Sequence, residues 1–174
     1  MNQIVVGRFA LAAAAALFLA ACGGSSTTSR STTVGTAVAP CVPAAIHNGP
    51  PPRWTATAWS DSSPGFRLPY SLSSGDAAAA FWFAPRLRAG HPQNPSNKVL
   101  WVVRFPRNAH PLQVTARFAG DRAQVVRASF PADSSPGEIY PSDIDLPRPG
   151  CWRLELAWGS HRASIDVQVH PRAT

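Results

Sequence analysis

The sequence predicts an all-β domain, an antiparallel immunoglobulin-like β-sandwich of seven or eight strands. Three observations carry this. From about Trp54 onward, short runs alternate apolar and polar residues with period two. Gly, Pro, Asp and Ser separate those runs at a spacing of roughly 8–12 residues, the rhythm of a sandwich. No amphipathic helix of useful length competes, and the 18 prolines would interrupt one.

Two segments precede that domain. Residues 1–21 read as a secretion signal, with Arg8 as its positive end and Phe9–Leu19 (FALAAAAALFL) as its apolar stretch. The stretch is too short for a bilayer-spanning helix, which needs roughly 20 apolar residues. It closes on Leu19-Ala20-Ala21-Cys22, which resembles the lipobox of bacterial lipoproteins. The resemblance implies cleavage before Cys22 and lipidation of its sulfur. Two or more acyl chains on one cysteine suffice for stable anchoring, where a single myristoyl chain does not. Residues 22–40 then form the lipidated Cys and a Gly/Ser/Thr tether without aromatic residues. Eighteen such residues reach roughly 20–25 Å, so the expectation is a domain held near the extracytoplasmic face of a cell membrane.

The domain itself spans 41–174. Trp54–Trp59 and Phe66–Leu72 are strand candidates, the second demoted to an edge by Pro69. Ala77–Phe83 (AAAAFWF) lies between Gly75-Asp76 and Ala84-Pro85, room for only a short strand. Lys98–Arg104 (KVLWVVR) is apolar on both faces and reads as a central strand. Leu112, Val114, Ala116 and Phe118 alternate with polar residues, and a Gly120-Asp121 turn leads to Ala123–Phe130. Ile139–Leu146 is a short strand interrupted by Pro141. The clearest pattern is last. Trp152, Leu154, Leu156 and Trp158 face one way, Gly159-Ser160 makes a two-residue turn, and Ala163, Ile165, Val167 and Val169 return on the same face.

Cysteines 22, 41 and 151 are the complete set. With Cys22 lipidated, an even pair remains in an oxidising compartment, which predicts a Cys41–Cys151 disulfide. Two cysteines so far apart, without C-x-x-C spacing, do not suggest metal.

Removal of the signal leaves 15 basic and 9 acidic residues, a formal net charge of +6. Such a surface fits anionic headgroups or a phosphate-bearing wall polymer. The arginines are scattered, and with an exported chain this excludes nucleic acid as a partner.

Pro149-Gly150-Cys151-Trp152-Arg153-Leu154, with the hairpin ending in Ile165-Asp166-Val167, resembles the closing hairpin of a group of secreted bacterial lipoproteins with Ig-like domains. The likeness covers roughly residues 76–170. It implies a membrane-anchored Ig-like domain and carries over no catalytic residue.

Candidate chemistry is sparse. His47, His91, His110, His161 and His170 are dispersed, with no pair at i, i+2 or i, i+4, and Met1 is the only methionine. Asp143 and Asp145 share a strand face and have Glu138 nearby, but a calcium shell needs about 6–8 oxygens. No G-x-S-x-G or S-x-x-K occurs, and Asp61 and Asp133 each open a D-S-S-P-G turn. Trp54 and Trp59, beside Pro50–Arg53, form the one aromatic pair suited to stacking on a sugar ring or sitting at an interface. These features imply a non-enzymatic binding or accessory module without metal or cofactor, partnered by an envelope protein or an anionic wall polymer. The alternative is an envelope hydrolase or metal-handling protein assembled from His91, His110, Glu138 and Asp143.

Overall fold

The computed structural model describes residues 40–58, 68–93 and 95–172. The segment predicted as a signal, the predicted tether up to residue 39, Cys22 and Trp59 lie outside the described residues. Among the described residues there are nine strands in two sheets and no α-helix, and no helix is long and apolar enough to cross a membrane.

The strands are β1 (Tyr70–Leu72), β2 (Ala78–Trp82), β3 (Leu87–Arg88), β4 (Lys98–Val103), β5 (Leu112–Phe118), β6 (Asp121–Phe130), β7 (Ile139–Asp143), β8 (Gly150–Trp158) and β9 (His161–His170). A four-stranded sheet runs β1-β2-β4-β7 and a five-stranded sheet runs β3-β9-β8-β5-β6. The count exceeds the predicted seven or eight by the two-residue β3, which pairs parallel to β9 and departs from a wholly antiparallel arrangement. A strand that short carries no periodicity of its own.

The predicted core faces meet. Trp152, Leu154, Leu156 and Trp158 on β8 are fully buried, as are Leu112, Val114 and Ala116 on β5 and Ile165, Val167 and Val169 on β9. They pack against Val99, Trp101 and Val103 of β4 and Ala78, Ala80 and Trp82 of β2. The hairpin register Trp158↔His161 leaves Gly159-Ser160 as the loop. Gly159 has φ +53°, the positive φ that a Gly-first hairpin turn requires.

Each core tryptophan also has its indole N–H satisfied. Trp82 donates to Ser71 Oγ (3.1 Å), Trp101 to Ser142 Oγ (3.0 Å), Trp152 to Arg148 O (3.0 Å) and Trp158 to Phe105 O (3.2 Å). Buried indoles without a partner would cost several times what each bond contributes.

The two-sided apolarity of β4 also has its cause. Leu100 and Val102 point away from the main core into a second cluster with Tyr70, Ala79, Phe81 and Ile139. Trp54, Ala58, Leu68 and Leu72 cover that cluster. Residues Arg53–Ala58 are a 3₁₀ turn, which corrects the strand predicted at Trp54–Trp59. Entered from Pro50-Pro51-Pro52, the segment lies over the outer face of the four-stranded sheet instead. Pro141 sits inside β7 opposite Leu100 rather than interrupting it, because β7 is an edge strand bonded on one side only.

Gly150 explains the P-G-C-W hairpin. Its φ is +129°, and a Cβ placed there would stand 2.6 Å from the Phe118 ring. Glycine alone lets β8 begin beneath that ring, which also packs on Trp152 at 5.1 Å.

Candidate functional site: a side cleft under an N-terminal strap

The chain enters the sandwich at Cys41, bonded to Cys151 on β8 with a Cα–Cα distance of 6.1 Å. Cys151 alternates with buried Trp152, so the bond is made on the outer face of the five-stranded sheet. From there residues 41–50 cross the open side of the sandwich as a strap. Val42 N donates to Asp166 Oδ2 (3.0 Å) and Ala44 N to Asp166 O (2.8 Å), both on β9. His47 and Tyr70 then exchange backbone bonds of 2.7 and 3.0 Å, and their rings stack at 5.1 Å. The strap thus joins β9 of one sheet to β1, the edge strand of the other.

Beneath it is a cleft of about 330 Å³, at the small end of ligand-sized cavities. One wall is the strap, through Pro43, Ala44 and Ile46; the other is Trp82, Ala84 and Leu87, with Val167 between them. Arg86, Gln168 and His170 line it as polar groups. Ile46 is 55% exposed, a large aliphatic side chain left in water beside the cavity.

Two polar devices shape this cleft. The first is Asp166, whose carboxylate takes two bonds from Arg153 and one from Val42 N. Burial pushes its pKa up, but the Arg153 hydrogen bonds, the Val42 N–H and the Arg153 charge together hold it below the usual carboxylate range. It stays a paired anion, and Arg153 is held above its usual value chiefly by the same hydrogen bond. The second is Asn97, fully buried, whose side chain mimics a neighbouring strand. Its Oδ1 accepts from Arg88 N (2.9 Å) and its Nδ2 donates to Arg88 O (2.8 Å). This pins β3, and with it Leu87, against the cleft. Neither Asn97 nor Arg86 stands out in the sequence. The only trace of Asn97 is an Asn just before a strand, which turn chemistry explains equally well.

The sequence-selected residues fall elsewhere. Trp54 is half-buried and packs on the outer cluster of the four-stranded sheet, and its intended companion Trp59 lies outside the described residues. His91 is bonded to Asp145, and Asp145 shares a shallow groove with Asp143. Glu138 accepts from Arg107 N (2.7 Å) in a second groove, and His110 lines a third. Among the described residues no three His, Cys, Asp or Glu side chains form a group that could hold a metal ion.

Fold and cleft together define a disulfide-stapled β-sandwich with an apolar side cleft. No protein-family model and no curated protein matches the chain. A Bacillus anthracis crystal structure, provisionally described as that of a lipoprotein, is similar over 60% of this chain and 79% of that one. The two are 13% identical, with a TM-score of 0.39.

Proposed function

We propose that the chain is a lipid-anchored binding module on the extracytoplasmic face of a bacterial membrane. The observation that carries this reading is the Cys41–Cys151 disulfide, set 19 positions after Cys22. Disulfides persist in oxidising compartments, and the cytosol keeps such pairs reduced. The disulfide therefore supports export independently of the Leu19-Ala20-Ala21-Cys22 motif, and the two agree on the compartment.

Binding rather than catalysis is the role assigned, and the cleft supports it. Its walls are aliphatic and aromatic, and its one carboxylate is committed to Arg153. An envelope protein or an anionic wall polymer remains the proposed larger partner, met by the basic surface. Fractionation of cells expressing the native chain and Cys22→Ala tests the anchor. The native chain is expected in the membrane fraction and the variant in the soluble extracytoplasmic fraction. Equal partitioning of the two would overturn the reading.

A further inference from the structure

From the side cleft we infer that the domain holds a single alkyl chain carrying an anionic head, as in a fatty acid. This rests on the binding-module reading above and names the ligand class of the same cleft.

The apolar part of the argument is the wall chemistry. Trp82 is 7% and Leu87 6% exposed, and Ile46 faces them from the strap at 55%. The Trp82 N–H, the polar group of that wall, is already bonded to Ser71 Oγ. A ligand there meets no unsatisfied indole donor, and the contact would remove Ile46 from water. Burial of apolar area is the general source of affinity in such sites.

Charge selects the head. Arg86 lines the cleft, is exposed and has no carboxylate partner among the described residues. His170 also lines the cleft, as a polar group that can donate a hydrogen bond. The cleft carboxylate, Asp166, does not offset Arg86 because Arg153 and the Val42 N–H hold it. With Asp166 paired to Arg153, the lining presents greasy walls and one guanidinium, that of Arg86, complementary to an alkyl carboxylate and opposed to an alkyl ammonium.

The test uses the chain from position 22 onward with Cys22→Ser, so that no attached lipid competes. Isothermal titration with dodecanoate, below the concentration at which it aggregates, is compared with dodecyltrimethylammonium. One saturable dodecanoate per chain is expected, with the cation at least about tenfold weaker. Ile46→Asp and Arg86→Glu, both at exposed positions, are each expected to weaken dodecanoate by about tenfold or more without moving the melting temperature. Absence of saturable binding by the folded chain, equal binding of the two head charges, or indifference to both variants would overturn the inference. Because the protein titrated carries no lipid, this outcome is independent of whether Cys22 anchors the native chain.

Discussion

Arg153 and Asp166 face each other across the β8–β9 pair and meet at two points, Nε–Oδ1 at 2.7 Å and Nη2–Oδ2 at 2.8 Å. The same carboxylate receives Val42 N, so one side chain fastens the strap to the sheet that the strap crosses. Asp166 is 10% and Arg153 32% exposed, so the carboxylate is nearly out of water while the guanidinium stays partly hydrated.

Asp166→Asn is expected to cost about 1–2 kcal/mol, the usual worth of charge-assisted hydrogen bonds discounted for the partly exposed guanidinium. That corresponds to a melting temperature lower by about 3–6 °C. The pH dependence has a fixed sign. The folded pKa of Asp166 is depressed, so its stabilisation is complete above the unfolded carboxylate value near about 4 and is lost as pH falls through the folded value. Urea unfolding between about pH 2 and 6 should show the native chain losing more stability on acidification than Asp166→Asn. Parallel curves would contradict the account.

Tyr140 gives the opposite limb. Its buried phenol donates to His110 O (2.8 Å), and its pKa is pushed up to about 12, first by burial and then by Glu138, against the lowering effect of Arg107. A raised folded pKa means stability present below the unfolded value of about 10 and lost as pH climbs towards the folded value. Tyr140→Phe should cost about 1 kcal/mol at neutral pH and flatten the decline above about pH 10, as read by thermal unfolding.

The disulfide closes a sequence separation of 110 residues. The chain-entropy model values such a loop at about 4–5 kcal/mol. Reduction, or Cys41→Ser with Cys151→Ser, is expected to lower unfolding stability by that order in chemical denaturation. It should also speed amide exchange at Val42 and Ala44, whose N–H groups bond to Asp166. Unchanged exchange at those two amides would show that the strap needs no staple.

Asn97→Ala removes the bonds that hold Arg88 N and O, leaving two backbone groups without partners. A loss of about 2–3 kcal/mol is expected, with selective amide-exchange deprotection of Arg88. Asn97→Asp restores the acceptor but not the donor, and should recover only part of that loss.

The hairpins β5–β6 and β8–β9 were legible because one buried face imposes a period of two on each strand. The two-sided β4 was legible for the complementary reason, since both its faces are covered. What escaped was set by tertiary placement. Arg53–Ala58 offers a few alternating residues that a strand and a 3₁₀ cover explain equally well, and only the cluster beneath it decides. The parallel β3 depends on Asn97 and on the free edge of β9, neither of which leaves a local pattern. The cleft gathers residues near positions 44, 84 and 168, so no spacing in the chain announces it. Of the aromatic pair favoured by the sequence, Trp54 covers the outer cluster of the four-stranded sheet, away from the cleft, and Trp59 lies outside the described residues.

Intact-mass spectrometry of the protein extracted from membranes tests the account most directly. The account predicts a chain that begins at Cys22, carries diacylglyceryl mass there, and gains two hydrogens on reduction from the Cys41–Cys151 bond. A chain that retains residues 1–21, or bears an unmodified Cys22 and two free thiols at Cys41 and Cys151, would contradict it.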